Sequence, residues 1–198
     1  MKIFIFYYKV NNMEDRIDKI RELIKEKFER IDWQYHILPV IKYAKELARI
    51  YKVNEETTEL AALLHDIGRI DLKNDENHHI FGSKEAEKIL KDFDYDEEII
   101  KEIKHSIESH RGIKSPKPVT TIARIIANAD AMAHFDIVPV LFYWRGTRNQ
   151  SLEEVIDWAD KKVERDWNKK ITLPEAKQMV EEKYKAIRLL IDSLKEYK

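Results

Sequence analysis

Seven histidines and no cysteine set the metal chemistry open to this chain. With no thiolate on offer, any transition metal must be held by imidazole nitrogens and carboxylate oxygens. His36, His65, His78, His79, His105 and His110 each fall near an expected helix end or connection, and His134 follows downstream. His65 is joined to Asp66 at the end of the apolar run Leu60-Ala61-Ala62-Leu63-Leu64, and Asp130 lies in a second apolar segment. Imidazoles and carboxylates brought together from these places could hold a divalent cation. Such a cation acts as a Lewis acid and lowers the pKa of a water bound to it. For His65 and Asp66 alone, a buried hydrogen bond without metal is the alternative, and the pair by itself does not decide.

The elements that must position these groups are helical. Ala61 to Leu64 leave no polar face, so the helix carrying them is expected to be buried all round. Gly68 is expected just past its end, in a left-handed conformation. Upstream, Trp33 opens a helix whose apolar residues Ile37, Val40, Ile41, Ala44, Leu47, Ala48 and Tyr51 share one face, with His36 bordering that face. Asn54 suits the cap of the next helix, and Ser83 that of a helix through Ala86, Ile89, Leu90 and Phe93. Asp94 or Asp96 starts another, stopped by Arg111-Gly112. Between Thr120 and His134, Ile122, Ile125, Ile126, Ala129 and Ala133 make an apolar face, and Asp130 follows Ile126 by one turn, pointing inward. A buried carboxylate needs a cation, a donor or a proton, so Asp130 is a candidate ligand. Residues 135–144 (FDIVPVLFYW) read as a core helix begun by Pro139, with a substrate-side wall or a dimer face as alternatives. The closing helices read as packing elements with no chemistry of their own.

Composition narrows the class. Charged residues make up 37% of the 198, yet the net charge is −1, so acids and bases are interspersed. That balance argues against a general nucleic-acid binder. Only 4 glycines and 5 prolines favour long helices with short connections. Residues 1–10 are apolar but too short for a membrane span and lack a small-residue cleavage site, so a cytoplasmic protein without membrane attachment is expected.

The ordered set His36, His65-Asp66 and Asp130 resembles the HD-domain superfamily of metal-dependent phosphohydrolases. Ala61 to Arg69 is similar to that family's HD helix. His78-x-x-x-Gly82-Ser83, Ser106-Ile107-x-x-His110 and Ile126 to Met132 resemble its later motifs, so the likeness covers roughly residues 33–136. It implies an all-α, HD-domain helical bundle with an additional C-terminal helical pair. Residues 1–32 would form an arm and helix, 33–136 the metal-binding core, and 137–198 helices packed on the same domain. It also implies one or two divalent ions (Mn, Fe, Co, Ni, Mg or Zn). His36, His65, Asp66 and Asp130 would carry the first, and His78 and His110 a second bridged by Asp66, with His79 as the runner-up for His78. Asp66 and Arg69 would be catalytic, and Arg69 and His79 would contact substrate. Lys114, Lys117, Arg145 and Arg148 could add a basic rim. No residue declares itself as general acid.

The expected activity is therefore hydrolysis of a small phosphoester, nucleotide-like, by metal-activated water, with a homodimer as one assembly. Arg111-Gly112-Ile113 departs from the Gly-Tyr-Pro signature of the cyclic-di-GMP branch, which sets that substrate aside. Two other readings remain: an HD-type di-iron oxygenase, and a non-catalytic nucleotide-binding regulatory module.

Overall fold

The computed structural model describes residues 13–70, 75–112 and 115–197. The expectations for residues 1–12 and Lys114 lie outside them. Among the described residues there is no strand, and the all-α expectation holds. Helix α1 (Met13–Lys27) is followed by a short α2 (Arg30–Asp32) that runs into a π turn, Trp33–Ile37, and then α3 (Leu38–Tyr51). Next come α4 (Glu55–Leu64), a 3-10 turn at Ile67–Arg69, α5 (His78–Asp92) and α6 (Glu97–Ser109). Helices α7 (Thr121–Asp136), α8 (Val138–Gly146), α9 (Leu152–Arg165) and α10 (Pro174–Lys195) complete the chain, with a second π turn at Asp166–Lys170.

Helix α4 is the hub. Asn54 Oδ1 accepts the Thr57 N–H at 2.8 Å and so caps its start, as its sequence position suggests. Leu60 to Leu64 are fully buried; each large side chain there is worth about 1.5–3 kcal/mol of burial. Helices α3, α6 and α7 pack on it, and α5 packs on α6. The alanines of α7 (Ala123, Ala127, Ala129, Ala131 and Ala133) let α3 and α6 come close. The one acid buried in α4, Glu59, is paired with Arg21 of α1 and Lys45 of α3. Because Glu59 is nearly inaccessible, removing either cation would leave a buried charge short of a partner.

Several local expectations are corrected. Gly68 does not take a left-handed conformation; Gly112, at φ +89°, is the glycine that does. Gly68 is needed for space instead. A Cβ there would lie 2.1 Å from the carbonyl oxygen of His78 and 2.6 Å from the nitrogen of Gly82. The missing side chain is what lets the start of α5 press on the turn carrying Asp66. Ser83 is not a cap, because α5 already begins at His78; its hydroxyl donates to Glu108 Oε1 at 2.5 Å instead. The apolar segment 135–144 is split, since α7 runs on to Asp136 and α8 leaves it at 83°. Of α8 only Leu141 is buried, so this is a half-exposed wall and not a core helix. No single described helix is long and apolar enough to cross a membrane; α7 and α8 together pass that test only by length and composition, and α7 is buried.

Gly68→Ala tests the close approach. Backbone atoms, unlike a flexible side chain, cannot swing away, so overpacking of about 1–3 kcal/mol or more is expected. Chemical denaturation should report that loss. An Ala variant as stable as the parent would show that α5 can retreat freely from the turn.

Candidate metal centre

Asp66 lies in the turn between α4 and the 3-10 segment, buried, and its two carboxylate oxygens face different histidines. Oδ2 is 3.2 Å from His36 Nε2 and 3.5 Å from His65 Nε2, and those nitrogens are 3.2 Å apart. Oδ1 is 3.2 Å from His78 Nε2 and 3.5 Å from His110 Nε2, which are themselves 3.2 Å apart. Asp130 Oδ1 approaches His36 Nε2 at 3.6 Å. The six side chains anticipated as ligands thus converge from the first π turn, the end of α4, the start of α5, the end of α6 and the middle of α7.

Each element aims its side chain for a local reason. The π turn inserts an extra residue per turn and rotates His36 inward, a distortion common at functional sites. His65 Nδ1–H donates to the Ala62 carbonyl at 2.7 Å, and His110 Nδ1–H to the Ile107 carbonyl at 2.6 Å. A carbonyl oxygen only accepts, so in each neutral ring Nε2 carries a lone pair. These lone pairs face a carboxylate. His110 Nε2 is near enough to donate to Oδ1, but its ring proton is already committed to Ile107, and Oδ1 is buried without a hydrogen-bond donor. Acceptors opposed to acceptors in a dry place are unfavourable unless a cation lies between them.

The electrostatics agree. Burial alone would raise the Asp66 carboxyl, but Arg69 and the surrounding imidazoles outweigh it and hold it well below the usual carboxylate range. Burial likewise works against ionised Asp130, and Lys170 and His134 overcome it. His65 is pushed down to about 3, chiefly by burial. Near neutral pH Asp66 and Asp130 are therefore anionic and His65 is neutral, the forms that bind metal. His36, His65 and Asp66 form one group able to hold an ion, and Asp66, His78 and His110 another. Separations of 3.2–3.5 Å within these groups suit ligand atoms at about 2.0–2.2 Å from a common ion. The donor set fits a divalent transition metal.

The centre opens into a cleft of about 860 Å³, lined by His36, Asp66, His110, Asp130 and His134 at its floor. Arg69 stands at its edge, its Nε donating to Asp66 Oδ2 at 2.7 Å, with the side chain partly exposed. His79 does not line this cleft: it is buried next to His78, with Nδ1 3.5 Å from Arg111. His105 accepts the Val119 N–H at 3.1 Å, away from the cluster.

Sequence reasoning missed Lys162, Asp166 and Lys170, which lie beyond His134 and Asp130. His134 stacks on His36, centroids 5.5 Å apart and planes within 9°. Its Nδ1 lies 2.9 Å from Asp166 Oδ2, and Lys162 Nζ is 3.0 Å from that same oxygen and 3.1 Å from Nδ1. Asp166 is fully buried and held ionised by Lys162 and His134 against the cost of burial. A lone pair on Nδ1 would oppose that anion, so Nδ1 carries the proton and Nε2 turns its lone pair toward Asp130 Oδ1, 3.7 Å away. Lys170 Nζ reaches Asp130 Oδ2 at 2.5 Å. The closing helices thus carry chemistry after all. The signal was Lys162, Asp166 and Lys170 at successive helical turns, alternating in sign.

Comparison with known proteins agrees with this architecture. The HD domain family model matches residues 33–134. The chain belongs to the HD domain family. An uncharacterized protein from Clostridium beijerinckii is 29% identical over 137 residues, 68% of this chain and 79% of that one. Among solved structures, a predicted HD superfamily hydrolase from an uncultured Thermotogales bacterium superposes with a TM-score of 0.64 at 22% identity, covering 94% of this chain and 97% of its own. A Listeria innocua protein gives 0.71 at 22% identity, with 93% and 96% covered. At that identity these structures speak for the fold.

The buried histidines predict acid lability. His65 falls to about 3 and His134 to about 4 when folded, both through burial first, from an ordinary value of 6.5. Between those values the unfolded chain binds protons that the folded chain does not, so stability falls as pH falls. With both groups titrating, the slope approaches about 3 kcal/mol per pH unit. Urea denaturation of EDTA-treated protein from about pH 7 to about pH 5 reads it directly. A flat profile there would mean that these rings are protonated in the fold.

Proposed function

We propose that this protein is a metal-dependent phosphohydrolase acting on a small phosphoester. The observation that carries this reading is Asp66, each of whose oxygens faces a separate pair of imidazole nitrogens at 3.2–3.5 Å on the floor of a cationic cleft. His36, His65, Asp66 and Asp130 would hold one divalent ion, and His78 and His110, with Asp66 between, a second. Bound there, the metal supplies Lewis acidity toward a phosphoryl oxygen and lowers the pKa of water.

The chain's own residues do the rest. Arg69 holds Asp66 through its Nε and lines the cleft with a partly exposed guanidinium, a group suited to phosphate oxygens. The cleft is walled by Lys27, Arg69, Arg111, Arg145, Arg148, Lys162, Arg165 and Lys170. That excess of cations over the lining carboxylates favours an anionic, phosphorylated ligand. His134, at about 4, is protonated in only about one molecule in a thousand at pH 7, so Nε2 serves as an acceptor or ligand and not as an acid. His79, outside the cleft, supports the His78 side of the centre more readily than it touches substrate.

Metal analysis of the purified protein, with a screen of phosphoesters under Mn, Co, Ni and Mg, tests the reading. Asp66→Ala should cut metal-dependent phosphate release by about a thousandfold or more. His110→Ala should remove about one of two bound ions. Stoichiometric iron with no phosphate release under any metal would overturn the hydrolase in favour of the oxygenase.

The anchoring of His134 makes a separate expectation. Asp166→Asn should weaken metal binding by about 10- to 100-fold, as removal of a group that orients a ligand does. Competition with a fluorescent chelator measures it. Unchanged affinity would reduce the His134–Asp166 pair to a packing element.

A further inference from the structure

The cations of the cleft are not equivalent. Lys162 and Arg165 both contact Asp166, and Lys170 contacts Asp130. Arg145, in the last turn of α8, and Arg148, just beyond it, have no carboxylate within ion-pair distance among the described residues. Glu154 is the acid felt most by Arg145, but its carboxylate closes the capping box of α9 by accepting the Ser151 N–H at 2.8 Å. The Arg145 guanidinium lies over the Trp158 ring, 4.8 Å from its centroid, and its Nε is buried with no hydrogen-bond partner among the described residues. Burial, and then the like charge of Arg148, work against ionised Arg145.

A helix C-terminus favours a basic residue, and that accounts for one arginine in the last turn of α8. It does not account for a second cation set against the first, nor for a buried guanidinium N–H left without an acceptor. Two forks of like charge, one fixed on an indole face and both lining the cleft that contains Asp66, suit an anion with several oxygens. The reacting phosphoryl group belongs with Asp66 and Arg69. We infer that Arg145 and Arg148 form a subsite for a second phosphoryl group of the ligand, so that the substrate class is a small molecule carrying at least two. Every residue of this subsite lies beyond residues 33–134, the part shared with the family. The core would set the reaction, and α8 with α9 the choice of substrate. This inference rests on the hydrolase reading only in taking the cleft as the substrate site.

The test is calorimetric titration of inorganic tripolyphosphate into the 198-residue chain, treated with EDTA so that the probe cannot act through bound metal. Arg145→Gln and Arg148→Gln should each weaken binding by about tenfold or more. Arg145→Lys should fall between, since it keeps the charge and loses the fork. Lys117→Gln, an exposed charge outside the cleft, should change nothing. Arg148 is exposed, so its variant keeps the fold even if Arg145→Gln does not. No binding by the parent, or equal loss in Lys117→Gln, overturns the subsite. Arginine-dependent binding without hydrolysis of any phosphoester leaves the subsite and removes the hydrolase; hydrolysis with unchanged affinity in both arginine variants does the reverse.

Discussion

The structure depends on keeping one ionised carboxylate, Asp66, in a nearly dry position between imidazoles whose lone pairs face it. An isolated carboxylate there would be several kcal/mol out of balance. Arg69 offsets part of this on one oxygen, and the other oxygen has no donor among the described residues. Much of the fold can be read as what that arrangement demands. Backbone carbonyls fix the tautomers of His65 and His110. A π turn rotates His36 inward, and a glycine lets α5 bring His78 close. Local irregularities that weaken a helix in isolation are here what points a ligand atom at a common centre.

A second layer, from the end of the chain, completes the site. Helix α9 and the π turn after it bring Lys162, Asp166 and Lys170 against His134 and Asp130. Asp166 has no exposed surface, and its charge is balanced by two cations and an imidazole N–H. The closing helices therefore do more than bury apolar area. They fix the side of the centre that α7 presents, and they supply cations at the rim.

Much of the site was legible before any coordinates. An apolar helix that ends in His65-Asp66 has nowhere to send two polar side chains except into the core. Asp130, one turn from Ile126, had to follow its apolar neighbours inward. The period of the apolar residues, the Asn54 cap and the stop at Gly112 also survive in the structure. What failed were inferences in which one residue type serves more than one purpose. Gly68 could be a helix terminator or a point of close approach, and Ser83 a cap or a buried donor. Residues 135–144 could be one core helix or a bend followed by a half-exposed wall. In each case local sequence fits both, and only the neighbour across the gap decides.

The sequence by itself determined the helical class, the ligand types and the order in which they arrive, because periodicity and side-chain chemistry are local properties of the chain. Tertiary structure alone decided which oxygen of Asp66 faces which histidine, that His79 is shut out of the cleft, and that Lys162, Asp166 and Lys170 belong to the site. The reason is distance along the chain. His134 and Asp166 are 32 residues apart and Lys170 and Asp130 are 40, and nothing in the spacing between such residues fixes their approach. That is set by how α10 packs on α9 and α7, and how the second π turn packs on α7.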